Sequence, residues 1–288
     1  MVPISSFKTL LEQASRPTLS FEFFPPKDTA SRVSLGSTVD ELAKLNPDFV
    51  SVTYGAMGSN QESSLEVVEY LSKWFPTIAH LTCIGATREN IQALLDRYTQ
   101  VGVAGILALR GDKPANFDSL PNSDYRVALD LVNQVRQTSR LPVGVATFPE
   151  KHPESPSLAH DIQVLKLKQD AGATFAMTQL FFSMNAYEEL VSAARSAGVT
   201  IPIVPGVMPI NNVKQVMRMA EMSGASVPDS LAQSLAEASN EEEAQKIGMD
   251  FTISLAANLV AYGAPGLHIF TLNHHRAAAE VAIGAGLG

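Results

Sequence analysis

The sequence predicts an α/β protein folded as a single (β/α)8 TIM barrel spanning residues 1–288. Three observations carry that reading. Short β-rich runs alternate with longer helix-period stretches at intervals of roughly 30 residues, the size of one βα unit. Eight such units occur, the number that favours a closed barrel over an open doubly wound sheet. Neither G-x-G-x-x-G nor G-x-x-x-x-G-K-[ST] is present, so the glycine signatures of dinucleotide and P-loop folds are lacking.

The elements follow in order. The first strand is expected at Leu19–Phe24 and must end at Pro25 and Pro26, which cannot donate ladder hydrogen bonds. Helical pattern at Val39–Leu45 leads to a second strand at Phe49–Tyr54, and Leu65–Trp74 leads to a third at Thr77–Cys83. Thr87–Val101 precedes the fourth, Gly105–Arg110, and Tyr125–Thr138 the fifth, Pro142–Phe148. Leu158–Ala171 precedes the sixth, Phe175–Gln179, and Ala186–Ala197 the seventh, Ile201–Pro205. The eighth, Leu267–Leu272, comes after a longer interval: beyond Val213–Ser223 it holds an extra helical segment at Asp229–Ala238 and Glu241–Tyr262. The cluster Gly284–Gly288 follows no strand and opens no helix, so it reads as a frayed tail. Nothing resembles a linker or a domain boundary.

Composition narrows the function classes. Apolar residues make up 45% and charged residues 17%, which excludes disorder over most of the chain. Lys+Arg 21 against Asp+Glu 29 leaves a formal charge of −8, and duplex nucleic acid needs a basic face. A single cysteine, Cys83, rules out an internal disulfide and a multi-cysteine metal cluster, and favours a reducing compartment. Met1 to Leu11 lacks a basic cluster followed by an apolar run. The uncharged stretch Phe251–Leu267 is interrupted by Ser254, Asn258, Gly263 and Pro265 and is shorter than the ~20 residues of a spanning helix. A cytoplasmic protein without a membrane segment is expected.

Strand alternation assigns side-chain directions, because successive residues face the lumen and the surrounding helices in turn. Leu19, Phe21 and Phe23 should pack under helices, which turns Ser20 and Glu22 into the lumen. By the same parity Ser51 and Thr53 face inward, as do His80 and Thr82. Arg110 groups with Ala108 against Leu107 and Leu109, and Met177 with Gln179 against Ala176 and Thr178. The polar residues converge on the C-terminal end of the lumen, where barrel active sites lie.

Glu22 is the sharpest chemical signal. It is a carboxylate among aromatics, and removal from water favours its neutral form, making it a candidate general acid. The competing reading is a structural ion pair, for example with Arg110. In Ala108-Leu-Arg-Gly-Asp112, Gly111 lets backbone approach a ligand, Arg110 can grip an anion or ring carbonyl, and Asp112 can accept from a heterocycle's N–H groups or simply cap a turn. His80, His152 and Asp161 are ambiguous, since a lone strand histidine is more often a hydrogen-bonded core residue. His274 and His275 are adjacent rather than spaced as a helical metal pair, and with no Cys/His cluster no metal site is expected.

Taken together, these segments resemble the bacterial methylenetetrahydrofolate reductase family across nearly the whole chain. The resemblance rests on Ser20-Phe-Glu-Phe-Phe-Pro-Pro26, Phe49-Val-Ser-Val-Thr-Tyr-Gly-Ala56, His80-Leu-Thr-Cys83, Ala108-Leu-Arg-Gly-Asp112, Pro149-Glu-Lys-His-Pro153, Asp170-Ala-Gly-Ala173, Thr178-Gln-Leu-Phe-Phe182 and Thr271-Leu-Asn273. It implies a (β/α)8 flavoenzyme that reduces 5,10-methylenetetrahydrofolate to 5-methyltetrahydrofolate, with FAD as cofactor and NADH or NADPH as co-substrate. Nicotinamide and folate would use one flavin face in turn, so no Rossmann motif is required. By matching position, Glu22 resembles the general acid that opens the imidazolidine ring. Asp112 resembles the carboxylate that holds the pterin near the flavin, and Gln179 and Gln215 resemble folate contacts. Thr53, Tyr54, Ala56, His80, Arg110, Gly111, Asp112, Tyr125, His152, Asp161 and Lys168 fall at flavin-site or neighbouring positions.

The chain departs from the family pattern at Phe148, where Tyr is usual, and at Val164 and Leu167, where polar or basic residues are usual. Phe270 and His274 stand where Tyr and Arg are expected, leaving Arg276 or His274 to hold the folate tail. The resemblance also implies a homo-oligomer, and because the barrel accounts for the 288 residues no regulatory domain is expected. Two other readings compete: flavin-free hydride transfer from NAD(P)H to the folate, and a non-catalytic folate-binding barrel. An aldolase-type barrel is disfavoured, because no lysine sits in an inward strand set and Lys113 lies beyond Asp112.

Overall fold

The computed structural model describes residues 11, 16–54, 61–112 and 123–288. Nine strands and ten helices follow one another in these segments. They are β1 Thr18–Phe23, α1 Thr29–Ala43, β2 Phe49–Val52, α2 Gln61–Leu71, β3 Thr77–Thr82, α3 Arg88–Val101, β4 Gly105–Leu109, α4 Ala128–Thr138 and β5 Val143–Thr147. Then come α5 Leu158–Asp170, β6 Phe175–Thr178, α6 Met184–Ser196, β7 Ile203–Val204, β8 Gly206–Val207, α7 Val213–Ser223, α8 Asp229–Glu237, α9 Glu241–Tyr262, β9 Gly266–Phe270 and α10 His275–Gly284.

All strand pairs are parallel, in the order β7-β6-β5-β4-β3-β2-β1-β9-β8. The expected seventh strand is divided at Pro205. Its first half pairs with β6 and its second half with β9, so the covalent link through Pro205 closes the sheet into a barrel. Proline supplies no N–H for the ladder, yet its carbonyl still accepts from His268 N at 2.9 Å. The extra helical segment before the last strand is present as α8 and α9.

Local chemistry explains where two helices depart from the apolar pattern. α1 begins ten residues ahead of the expected stretch. Asp28 accepts from Ser31 N at 2.7 Å and Ser31 Oγ accepts from Asp28 N at 3.0 Å, a reciprocal cap that starts a helix with a mostly exposed first half. At the other end of the chain the expected frayed tail is instead a packed cap. Leu287 N donates to Ala282 O at 2.9 Å, Gly286 adopts a left-handed φ of +76°, and Leu287 is buried in the core.

The core has two shells. Between sheet and helices lie Leu19, Phe21, Phe23, Val50, Val52, Leu81, Ala108, Val145 and Leu267. Inside the barrel, Phe49, Ile78, Leu107, Phe175, Met177 and Val204 form an apolar floor. The two sets alternate along β2, β3, β4, β6 and β7, and Glu22, Ser51 and His80 take the side away from the helix layer, as expected. In β4 the lumen side is Leu107, with Ala108 under the helices; the strand stops at Leu109, so alternation no longer governs Arg110. Among the described residues no helix is long and apolar enough to cross a membrane.

Candidate active site

Above the apolar floor the lumen turns polar. Strand register places Ser20 beside His268 and Glu22 beside Ser51. Glu22 is 6% exposed, and its Oε2 lies 3.5 Å from Nε2 of both His80 and His268. Burial pushes the His80 imidazole down to about 4, partly opposed by Glu22, so the ring is neutral at neutral pH. Its Nε2 is buried without a hydrogen-bond partner. The alternative pairing of Glu22 with Arg110 is not seen, because Arg110 makes a two-pronged contact with Glu154 at 2.7 and 2.9 Å.

The end of β1 is clamped around Glu22 by the loop after β9. Thr271 Oγ1 donates to Glu22 O at 2.6 Å. Asn273 Oδ1 accepts from Phe24 N and its Nδ2 donates to Phe24 O, both at 2.9 Å. Leu272 and Asn273 both take positive φ to make this turn, at +49° and +59°. Thr271-Leu-Asn273 therefore holds the strand that carries the acid.

A cleft of about 570 Å³ opens at the C-terminal ends of β3 to β6. Tyr54, Thr82, Arg110, Gly111, Asp112, His152, Asp161, Lys168 and Gln179 line it, with Ile84, Leu109, Phe148, Val164 and Leu165 as apolar walls. Most of the flavin-site expectations thus gather in one place. Gly111 has φ +89°, and a Cβ there would stand 2.7 Å from Ile84, so the cleft wall requires glycine. Asp161 accepts from His152 N at 2.7 Å, and His152 Nδ1 accepts from Glu154 N at 3.0 Å. Burial, then the nearby Arg110, holds the His152 imidazole below its ordinary range. Burial also lowers Lys168 to about 8, offset in part by Asp161, and its Nζ donates to Ala146 O at 3.3 Å.

A second cleft, about 630 Å³, lies at the ends of the last strands and holds Gln215, Asn212, Asn273, His274 and Arg276. The two folate-contact candidates, Gln179 and Gln215, therefore occupy separate clefts. Tyr125 lines neither: it is 1% exposed in the helix-facing core, with its hydroxyl donating to Gln134 and Arg88 over its ring. Thr53 sits just past β2, its N donating to Phe23 O at 3.0 Å, and lines neither cleft. Ala56 lies outside the described residues. Sequence reasoning missed His268 and Glu154. The alternation of β9, which pairs His268 with Phe270, carried the first signal; nothing local announced the second. Among the described residues no three His, Cys, Asp or Glu side chains are grouped to hold a metal ion.

Comparison with known proteins places the chain in a family. The profile of the family described as methylenetetrahydrofolate reductase matches residues 6–286. A 5,10-methylenetetrahydrofolate reductase of Salmonella typhimurium is 34% identical over 269 residues, 92% of this chain and 90% of its own. A methylenetetrahydrofolate reductase (NADH) of Arabidopsis thaliana is 34% identical over 303 residues; the match spans all of this chain and 51% of that one. Among solved structures, a Clostridium thermocellum protein described as binding two copies of 5-methyl-5,6,7,8-tetrahydrofolic acid superposes with a TM-score of 0.68 at 14% identity, covering 98% of each chain, a likeness of fold. The chain belongs to the methylenetetrahydrofolate reductase family, oxidoreductases that act on methylenetetrahydrofolate.

Proposed function

We propose that this chain reduces 5,10-methylenetetrahydrofolate to 5-methyltetrahydrofolate with NAD(P)H, that FAD occupies the cleft over β3 to β6, and that Glu22 is the general acid. The observation that carries the reading is Glu22 itself. It is a nearly buried carboxyl within the lumen, flanked by two imidazoles, while Asp112 and Gln179 line the cleft over β3 to β6.

The cleft suits a flavin nucleotide. Its volume falls in the about 300–1,000 Å³ range of ligand sites. Apolar walls at Ile84, Leu109 and Phe148 suit a planar ring, Gly111 leaves space where any Cβ would collide, and Lys168 and His152 are positioned to meet phosphate. Such a cofactor would supply the hydride chemistry. The chain's own residues do the rest. Asp112, exposed at the rim, accepts from pterin N–H groups and orients the folate. Gln179 lines the cleft, and with its Oε1 accepting from Leu180 N at 2.8 Å its amide nitrogen is the group that would donate to the folate. Glu22 gives a proton to the ring nitrogen released as the imidazolidine opens. Gln215, Arg276 and His274 in the second cleft receive the folate's glutamate end. The solved neighbour described as binding 5-methyl-5,6,7,8-tetrahydrofolic acid supports a folate on this fold. A cytoplasmic homo-oligomer, one barrel per chain, completes the reading.

Glu22→Gln provides the test. We expect it to lower folate reduction by about 10²–10⁴ while leaving NAD(P)H oxidation by an artificial acceptor near wild type. Parallel loss of both half-reactions would make Glu22 structural. A colourless protein that turns over without added FAD would replace the flavin with direct hydride transfer.

A further inference from the structure

His268 is contacted at both ring nitrogens and packed against two aromatic rings. It is 1% exposed on β9, opposite Ser20 in the parallel register. Ser20 Oγ lies 2.9 Å from Nδ1 and also donates to Leu267 O at 3.0 Å, while Ser51 Oγ lies 3.2 Å from Nε2. The Phe49 ring stacks on the imidazole at 6.0 Å and 7°, and Phe270 meets it edge-on at 5.6 Å and 83°. A ring fixed at both nitrogens and packed against two aromatic rings in a close-packed interior does not readily turn away from its neighbour.

That neighbour is the carboxyl of Glu22. Oε2 faces Nε2 of His268 and Nε2 of His80 at 3.5 Å each. Both gaps exceed the about 2.7–3.2 Å of an N–H···O hydrogen bond, so the carboxyl is bracketed on one side rather than tied. Its other oxygen has no hydrogen-bond partner among the described residues. A terminal carboxyl torsion is soft and two-fold, so without a wall either oxygen can turn to the lumen mouth. An acid must come within about 2.6–3.2 Å of the atom it protonates.

We propose that His268 is a positioning residue for Glu22: its anchored ring walls off Oε2 and leaves Oε1 as the oxygen presented to the folate. This rests on Glu22 being the acid. No covalent change occurs at His268, and it touches neither the folate nor the cofactor in this scheme. The reach of Nε2, rather than the mere presence of a polar side chain, is the feature that matters.

His268→Asn and His268→Gln separate those two features. The shorter amide falls near the Nδ1 position and keeps the contact with Ser20; the longer one falls near Nε2 and keeps the wall against Glu22. We expect His268→Asn to slow the single-turnover folate half-reaction about 10- to 100-fold, with folate affinity and the NAD(P)H half-reaction unchanged. His268→Gln should recover most of that loss. The double variant Glu22→Gln/His268→Asn should be no slower than Glu22→Gln alone, as for residues acting through one another. Without any turnover, the Nε2 resonance of His268 in ¹⁵N-histidine-labelled protein should move on Glu22→Gln. If His268→Asn does not fold, Ser20→Ala loosens the ring more gently and should slow the folate half-reaction alone.

Equal losses in His268→Asn and His268→Gln, additive losses in the double variant, an unmoved resonance, or parallel loss of both half-reactions would each overturn the proposal. If Glu22→Gln destroys folate reduction while His268→Asn preserves it, only the positioning role fails. If Glu22→Gln itself retains folate reduction, the acid role fails and takes the positioning role with it.

Discussion

The lower and upper halves of the lumen share the same strands but follow opposite chemistry. In the lower half, Phe49, Ile78, Leu107, Phe175, Met177 and Val204 fill the barrel without a polar atom on any side chain except a thioether. There even a hydrogen atom's worth of space is used: a Cβ at Gly144 would stand 2.1 Å from the Phe175 ring. In the upper half, Ser20, Glu22, Ser51, His80 and His268 crowd together, and His80 Nε2 is left without a hydrogen bond. A buried unpaired polar atom costs about 1–3 kcal/mol. The floor is built for stability. The layer above it carries a cost that stability alone does not explain, which is the pattern of a site.

Exchanging the roles of the two layers by mutation tests that contrast. The largest effect should come from the upper layer. Glu22→Gln, nearly isosteric, should lower folate reduction by about 10²–10⁴ while the melting temperature stays near wild type, as measured by single-turnover kinetics beside thermal unfolding. A large loss of stability would erase the distinction between layers. The floor should answer in the opposite currency. Phe175→Ala should cost about 3–5 kcal/mol in urea unfolding, yet leave activity per folded molecule largely intact near the melting range.

His80 sharpens the contrast through pH. Its folded form refuses a proton until about 4, whereas the unfolded chain takes one at the ordinary 6.5. The unfolded state therefore binds more protons between those values, and stability should fall as pH drops from 6.5 towards 4. Between pH 6.5 and 5 the loss should be about 1–2 kcal/mol in urea titrations, and His80→Gln should flatten this part of the profile. An unchanged slope would show the imidazole to be less desolvated than its burial indicates. The smallest effect belongs to the rim, outside both layers. The Arg110–Glu154 pair has side chains 24% and 50% exposed, so Glu154→Gln should change stability by less than about 1 kcal/mol.

How much of this was legible depends on the range of the interaction. The βα rhythm and the inward turn of Glu22 were readable, since both follow from alternation within a few residues. The start of α1 was not, because Asp28 and Ser31 make it by capping and leave no apolar stripe. The break at Pro205 was read as the end of a strand; closure of the barrel shows that each half serves a different neighbour. The engagement of Arg110 by Glu154 joins residues 44 apart, and no local pattern announces it. Gln215 was singled out by family position alone, and the cleft it lines is set by α1, α9 and α10 converging on α7.

By itself the sequence determined which side of each strand is apolar, where the glycines and prolines interrupt, and that a carboxyl would face inward near the barrel's C-terminal end. These are properties of period-two geometry and of single residues, and they need no partner. Only the tertiary structure decided what that carboxyl meets. Ser20 and His268, 248 positions apart, become neighbours because the last strand closes on the first in one register, and a shift by a single residue would turn His268 into the helix layer. The direction of a side chain is local; its company is set by closure.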